Sequence, residues 1–97
     1  MRRIVWSVEA EDDFAENIEY LLHEWTEEDA VEFIQKVGKI IETLRTDLVR
    51  YQPANYAGLF KCVVCKQIAL FYRQIGTEEI ELVRFWNNYR DLNKLKL

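Results

Sequence analysis

The sequence predicts a single α+β domain over residues 1–97, with the element order β-α-α-β-β-β. Two amphipathic helical patterns follow one another almost without a gap. Three short segments rich in Val, Ile, Phe, Tyr and Trp come after them. An N-terminal strand, an antiparallel helical hairpin and a three-stranded antiparallel meander would then form one mainly antiparallel sheet. A chain of 97 residues leaves room for one hydrophobic core.

The composition is that of a packed domain without a membrane segment. Hydrophobic residues make up 49% of the chain, and only three Gly and one Pro are present, which argues against disorder. No apolar run approaches the roughly 18 to 20 residues that a membrane span needs. The N-terminus has no hydrophobic signal segment. We therefore expect a cytoplasmic protein that does not associate with membranes.

The net charge of −4 conceals an asymmetry between the two halves of the chain. Residues 1–49 carry five cations against thirteen carboxylates, a net charge of −8. Residues 50–97 carry eight Lys and Arg against four carboxylates, a net charge of +4. The basic half therefore suggests an anionic partner. The acidic residues are interpreted as the solvated faces of helices.

The first half begins with a predicted strand at Arg2–Trp6 and a predicted helix at Val8–Glu24. Ser7 is a suitable N-cap for this helix, because its hydroxyl can accept from a free amide of the first turn. Negative charge near the positive end of the helix dipole comes from Glu9, Glu11, Asp12 and Asp13. One apolar stripe at helical spacing contains Phe14, Ile18, Leu21, Leu22 and Trp25.

The second helix begins at Thr26, which forms a capping box with Asp29. Its apolar face contains Ala30, Phe33, Ile34, Val37, Ile40, Ile41, Leu44 and Leu48. Gly38 lies mid-helix, where glycine costs about 1 kcal/mol relative to alanine. A close approach between the two helices would explain this glycine. A loop is predicted at Val49–Leu59, since Pro53 disfavours helical geometry in the residue before it.

The meander is predicted from three strands, at Phe60–Cys65, Ile68–Gln74 and Glu79–Trp86, with turns at Lys66-Gln67 and Gly76-Thr77. Strict alternation places Ile80, Leu82, Arg84 and Trp86 on one face of the last strand and Glu81, Val83, Phe85 and Asn87 on the other. Neither face is purely apolar. The pattern therefore leaves open which face meets the helices, and whether Arg73 and Arg84 share a surface.

Familiar catalytic and metal-binding patterns are absent. Cys62 and Cys65 have C-x-x-C spacing, but residues three apart on a strand point to opposite faces, so buried thiols are favoured over a redox or zinc pair. His23 is the only histidine, and a helix-end histidine is favoured over a general base. The sequence has no P-loop, Rossmann, G-x-S-x-G or HExxH signature. We expect no metal and no cofactor.

Cationic and aromatic residues of the meander remain as candidates for a functional site. Arginine binds phosphate through two parallel hydrogen bonds, and cations stabilise the charge that develops on a phosphate during strand cleavage. A tyrosine beside an arginine can transfer a proton or stack on a base. These candidates are Lys61, Lys66, Arg73, Arg84, Tyr89 and Arg90. The alternative for each cation is a surface charge with a buried stem.

Three segments, in this order, resemble the RelE/ParE superfamily of toxins from type II toxin–antitoxin (plasmid stabilisation) systems. They are Trp6-Ser7-x-x-Ala10, Phe71-Tyr72-Arg73 before a Gly-containing turn, and the final strand running into Asn87-Asn88-Tyr89-Arg90-Asp91. The resemblance covers essentially the whole chain. It implies a growth-arresting protein that a cognate antitoxin neutralises. An antitoxin could lay a helix in a groove or add a strand to the sheet edge.

The resemblance implies one of two targets, because some members of the superfamily cleave mRNA in the ribosomal A site and others poison DNA gyrase. For the cleaving type, it assigns Arg73, Arg84 and Tyr89 to catalysis, and it leaves Lys61, Lys66, Asn87 and Arg90 as binding residues. The acidic chain and the long helices favour the gyrase-directed branch. A non-toxic protein-binding module of the same fold is a further alternative, and a homo-oligomer stays open.

Overall fold

The computed structural model describes residues 1–46, 52–54 and 58–90, and it confirms the predicted order of elements. Its elements are β1 (Arg3–Trp6), α1 (Val8–Glu24), α2 (Glu27–Thr46), β2 (Gln52–Pro53), β3 (Phe60–Val63), β4 (Ile68–Ile75) and β5 (Glu79–Asn87). Leu48, most of the predicted loop and residues 91–97 lie outside the described residues. Neither described helix is long and apolar enough to cross a membrane.

The strands form one sheet in the order β1-β5-β4-β3-β2. The first strand pairs in parallel with β5, with Ile4 beside Ile80 and Trp6 beside Leu82. All other pairs are antiparallel, which confirms the predicted mainly antiparallel sheet. The two-residue strand β2 lies within the predicted loop and adds an edge that was not predicted.

The turn between β3 and β4 begins earlier than predicted. The backbone N–H groups of Val64 and Cys65 both donate to the carbonyl of Ile68, so β3 ends at Val63 rather than at Cys65. Cys62 is buried, as predicted, whereas Cys65 is half-buried in this turn. No disulfide joins the two thiols.

Both predicted helix caps are present. The hydroxyl of Ser7 accepts from the N–H of Ala10 at 2.9 Å and donates to the carbonyl of Val83 at 2.8 Å. The side chain of Thr26 accepts from the N–H of Asp29 at 3.0 Å, and the N–H of Thr26 donates to the Asp29 carboxylate at 3.3 Å. Because Ser7 also bonds to β5, its side chain both caps α1 and ties the start of that helix to the sheet.

Both helices contribute to the core on one face of the sheet. The largest fully buried side chains of this core come from both helices and from the sheet: Leu21, Phe33, Leu44, Ile68, Leu70, Ile80, Leu82 and Phe85. The rings of Trp6, Phe14, Phe33 and Phe85 form its aromatic centre, with centroids 5.3 to 6.1 Å apart. Leu22 was predicted in the same apolar stripe but is 49% exposed, since it lies one residue beyond the buried face.

A β-bulge in β5 changes the faces that strict alternation predicts. Phe71 pairs with Arg84 while the next residue of β4 pairs with Leu82, so Val83 is an additional residue in β5. After the bulge Phe85 belongs to the helix-facing core, whereas Trp86 packs on the opposite face. The predicted placement of Trp86 on the same face as Leu82 is therefore wrong, because one inserted residue reverses the alternation.

Gly38 is not a point of close helix approach, contrary to the explanation offered from the sequence. It is exposed, and a Cβ atom added there would meet no heavy atom within 4 Å. The side of α2 that carries Gly38 faces away from the core.

Replacing Gly38 by alanine should stabilise the protein by about 0.5–1 kcal/mol, because alanine loses less backbone entropy in a helix and meets no steric obstacle here. Urea denaturation of the two proteins measures the difference. A loss of stability in Gly38→Ala would show that this part of α2 is packed in solution.

Replacing Ser7 by alanine should cost more than replacing Thr26 by alanine. Both changes remove a cap worth about 1 kcal/mol and one hydrogen bond that the hydroxyl donates, but the Thr26 bond to Asp29 is exposed whereas the Ser7 bond to the Val83 carbonyl is partly buried. Denaturation midpoints of the two variants give the comparison. Equal losses would mean that the Ser7 hydroxyl acts only as a cap.

Candidate functional site

Polar side chains of α1 bind the edge of β5 where β1 has ended. The backbone pairing between β1 and β5 stops at Leu82. Further along, the N–H of Phe85 donates to the Asp13 carboxylate at 3.0 Å, and the carbonyl of Phe85 accepts from the Asn17 amide at 3.0 Å. Asp13 and Asn17 lie one helical turn apart, so α1 provides hydrogen bonds that a neighbouring strand would otherwise make.

The same aspartate binds the predicted catalytic residue Arg84. The Nε atom of Arg84 lies 2.6 Å from Oδ2 of Asp13, and Nη2 lies 3.0 Å from Oδ1. The Arg84 side chain is 15% exposed and that of Asp13 is 6% exposed. The hydrogen bond that Arg84 donates to Asp13 raises the pKa of Arg84, although burial opposes this. Arg84 therefore stays charged at physiological pH and is held by two charge-assisted hydrogen bonds.

The other two arginines of the predicted site also bind carboxylates. Arg73 on β4 donates to Glu81 on β5 at 2.7 Å, and this pair lies at the surface. Arg90 lies 3.8 Å from Glu16 of α1, again at the surface. Each predicted guanidinium therefore has an acidic partner within the chain.

Trp86 provides a second contact for two of these arginines. The guanidinium of Arg84 lies 5.5 Å from the centre of the Trp86 ring, and that of Arg90 lies 5.2 Å away. The tryptophan is buried, and its indole N–H has no hydrogen-bond partner in the described part of the chain. Cation–π attraction thus adds to the ion pairs in orienting Arg84 and Arg90.

Tyr89 and Lys66 meet at Trp25, the residue that ends α1. The rings of Tyr89 and Trp25 are stacked, with centroids 6.0 Å apart and planes inclined by 22°. The ammonium of Lys66 lies 4.5 Å from the centre of the Trp25 ring. The indole N–H of Trp25 donates to the hydroxyl of Tyr20 at 3.1 Å. We call Trp25, Lys66 and Tyr89 the aromatic–cation cluster. Tyr89 is 58% exposed.

Asn87 shapes the turn that places Tyr89. Its side chain is buried, and its Oδ1 atom accepts from the N–H of Tyr89 at 2.8 Å. The N–H of Asn88 donates to the carbonyl of Gln67 at 2.6 Å, which joins this turn to the one between β3 and β4. Asn87 therefore positions neighbouring residues rather than presenting its amide to solvent.

The predicted site residues separate into two regions. Lys66, Arg84, Asn87, Tyr89 and Arg90 lie toward the carboxyl end of β5, where Arg84 and Arg90 both contact Trp86. Lys61 is exposed on β3 opposite Phe71, and Arg73 lies further along β4, away from this end of the strand. Their catalytic and binding roles stay predictions.

Sequence reasoning missed Asn17 and assigned Asp13 only to the helix dipole. A signal was present in the spacing, because Ala10, Asp13, Asn17 and Leu21 recur at intervals of three and four residues. All four are buried. Two polar residues within one buried helical face indicate specific partners in the sheet.

A sequence profile described as the ParE toxin of type II toxin–antitoxin system, parDE, matches residues 4–92. This chain belongs to the ParE toxin family. The match extends from β1 past the end of β5, and it confirms the resemblance to RelE/ParE toxins.

Solved structures share the fold of this ParE-family chain. The chromosomal ParDE TA system from P. aeruginosa has 17% sequence identity and a TM-score of 0.72, covering 90% of this chain and 96% of that one. A YoeB/ParE toxin from Agrobacterium tumefaciens has 17% identity and a TM-score of 0.63, covering 90% and 99%. The E. coli DinJ-YafQ toxin–antitoxin complex has 13% identity and a TM-score of 0.59, covering 89% and 91%. No curated protein sequence matches this ParE-family chain.

Removing the Asp13 carboxylate should destabilise the protein by about 3–5 kcal/mol, because Asp13→Ala removes both carboxylate oxygens to which the largely buried Arg84 donates and leaves the Phe85 N–H without its acceptor. Arg73→Ala, in an exposed pair, should cost less than about 1 kcal/mol. Chemical denaturation of both variants measures these values. A small effect of Asp13→Ala would mean that α1 is held to β5 by apolar packing alone.

Proposed function

We propose that this ParE-family toxin arrests growth by poisoning DNA gyrase and that a cognate antitoxin neutralises it. The observation that supports a protein target over RNA cleavage is the pairing of Arg73, Arg84 and Arg90 with carboxylates of the same chain. The proposed target places the protein in the cytoplasm.

Phosphodiester cleavage needs cations that face the reacting phosphate and stabilise its developing charge. Arg84 presents Nε and Nη2 to Asp13, so two of its donors are already committed. Releasing a largely buried pair would cost about 3–5 kcal/mol. The exposed pairs of Arg73 and Arg90 are weaker, but they also reduce the positive charge available to RNA.

The overall charge supports the same target. A chain of net charge −4 is repelled at long range by a polyanion such as mRNA. The carboxylates of the helical hairpin add to this repulsion, since residues 1–49 alone have a net charge of −8. Binding to a protein does not in general require the chain to overcome electrostatic repulsion from a polyanion.

A ribosome-dependent mRNA endonuclease is the second candidate function. It is favoured by the meeting of Lys66, Tyr89 and Arg90 at the carboxyl end of β5, where Tyr89 is well exposed. In that function Tyr89 would transfer a proton or stack on a base, and Lys66 and Arg90 would contact phosphates. The third candidate function is that of a non-toxic protein-binding module with the same fold.

An antitoxin partner is supported by the family and by the solved DinJ-YafQ toxin–antitoxin complex, whose toxin fold this chain shares. Neutralisation requires only that the antitoxin cover a surface that the target needs. The cognate antitoxin is therefore expected to be a protein that binds this chain tightly.

Expression of the chain without an antitoxin should arrest growth, leave transcripts uncut within codons, and trap gyrase on cleaved DNA. Mapping of transcript 5′ ends and a gyrase supercoiling and cleavage assay measure the two activities. Cuts within codons together with normal supercoiling would establish the endonuclease instead. Unimpeded growth at verified soluble expression would favour the non-toxic module.

Tyr89→Phe separates the two active functions further. This change keeps the ring that stacks on Trp25 and removes only the hydroxyl. A gyrase poison should still arrest growth, whereas a nuclease that uses Tyr89 in proton transfer should lose its activity. Arg84→Ala would not discriminate, because loss of its bond to Asp13 is expected to unfold the site for either function.

A further inference from the structure

Lys66 keeps a positive charge that a partner can use. The residue is exposed, and its ammonium forms no ion pair with a carboxylate of the described residues. Arg73, Arg84 and Arg90 each have a carboxylate partner, so their charge is partly compensated within the chain. The Lys66 ammonium lies instead 4.5 Å from the centre of the Trp25 ring. A cation–π contact orients an ammonium without cancelling its charge.

The Trp25 ring on which Lys66 lies is itself fixed by two contacts. Its indole N–H donates to the Tyr20 hydroxyl at 3.1 Å, and its ring stacks on that of Tyr89 with the planes inclined by 22°. Trp25 is also half-buried and packs against the helix-facing core. The ring is therefore in place before a partner arrives, which reduces the entropy that binding costs.

Hydrogen bonds join the two turns that carry the other members of the aromatic–cation cluster. The N–H of Asn88 donates to the carbonyl of Gln67 at 2.6 Å, so the turn after β5 is tied to the turn that carries Lys66. The Asn87 side chain accepts from the N–H of Tyr89 at 2.8 Å and fixes the backbone of that residue. The cluster is thus one joined surface at the end of α1.

Two aromatic rings give the cluster the composition of a protein-binding surface. Tryptophan and tyrosine are enriched among the side chains that carry most of the binding energy at protein interfaces. Each offers a large, rigid contact area with few side-chain torsions to fix. Tyr89 is 58% exposed, so its ring is accessible to a partner while Trp25 holds it by stacking.

The charge of the cluster indicates which kind of partner fits it. Arg90 follows Tyr89 in the chain, but its guanidinium contacts Trp86 and Glu16. The cluster itself therefore offers a single ammonium. One ammonium matches one carboxylate, whereas a nucleic-acid strand is bound by several cations along its phosphates. The rings beside the ammonium match an apolar side chain next to that carboxylate.

We propose that the aromatic–cation cluster binds an acidic segment of the toxin's protein target, in which an aspartate or glutamate adjoins an apolar side chain. This inference rests on the proposed function for the identity of the target. The carboxylate pairs with the Lys66 ammonium, and the apolar side chain packs on the Tyr89 ring. The Tyr89 hydroxyl has no part in the contact, so Tyr89→Phe keeps the binding and Tyr89→Ala loses it.

A synthetic peptide tests the surface without the target. The probe is a short peptide in which aspartates alternate with leucines, and the control peptide has asparagine in place of every aspartate. Nuclear magnetic resonance of the isotope-labelled full chain follows the indole N–H of Trp25 and the amides of Lys66 and Tyr89. The acidic peptide should shift these signals to saturation, and the asparagine peptide should leave them in place. Equal shifts with both peptides, or with neither, would overturn the proposal.

A short single-stranded RNA is titrated in the same way. The net charge of −4 and the single ammonium predict that it shifts the cluster signals less than the acidic peptide does. Tighter binding of the RNA at these residues would overturn the proposal and favour the endonuclease.

The decisive variant is Lys66→Glu, compared with Lys39→Glu on α2. Both lysines are exposed, neither has an ion pair in the part of the chain that the structure describes, and both changes lower the net charge equally. If only the overall charge attracts the acidic peptide, both variants weaken binding to the same extent. Contact at the cluster predicts that Lys66→Glu binds at least about tenfold more weakly than Lys39→Glu, whereas Lys66→Arg retains the affinity. Equal affinities of the two glutamate variants, with the fold confirmed by circular dichroism, contradict the contact.

Measurements with purified gyrase connect the surface to the target and keep the two proposals distinguishable. Lys66→Glu and Tyr89→Ala should each require at least about tenfold more protein than the unaltered chain to block supercoiling. Undiminished inhibition by both variants would show that the target binds elsewhere. Failure of the unaltered chain to inhibit gyrase would contradict the proposed function alone, since the peptide measurement does not depend on gyrase.

Discussion

The backbone of β5 beyond Leu82 needs hydrogen-bond partners in the interior, and α1 supplies them. Asp13 and Asn17 bind the N–H and the carbonyl of Phe85, and the Ser7 hydroxyl binds the carbonyl of Val83. These contacts determine where α1 lies on the sheet. They also bring the end of α1 to the carboxyl end of β5, where Trp25 meets Tyr89.

The contacts of Asp13 also limit how far the charge of Arg84 is available to a substrate. Asp13 is buried where it binds the β5 edge, and a buried carboxylate requires a cationic partner. Arg84 meets that requirement, so its charge stabilises the fold and is less available to a substrate. The exposed Arg73 and Arg90 are held more weakly. These pairings are the reason for proposing a protein target rather than RNA cleavage.

On each helix, one apolar stripe is buried on the sheet, and some apolar side chains beside it reach solvent. Leu22 of α1 and Val31 and Ile34 of α2 are exposed, whereas Ile18 and Ile41 still pack against the core. Gly38 is also exposed, and it has no role in packing among the described residues, because a Cβ atom added there would meet no heavy atom within 4 Å.

The features that the sequence by itself determined are those set by residues close together in the chain. Ser7, the Thr26–Asp29 capping box, the two helical patterns and the turn at Gly76 each depend on neighbours within a few positions, so local geometry predicts them. Tertiary structure decided the rest. Asp13 and Arg84 are 71 residues apart, and their pairing depends on where α1 packs. The bulge at Val83 depends on the register between β4 and β5, and it reverses the faces of Phe85 and Trp86 because a single added residue shifts every later side chain to the other side.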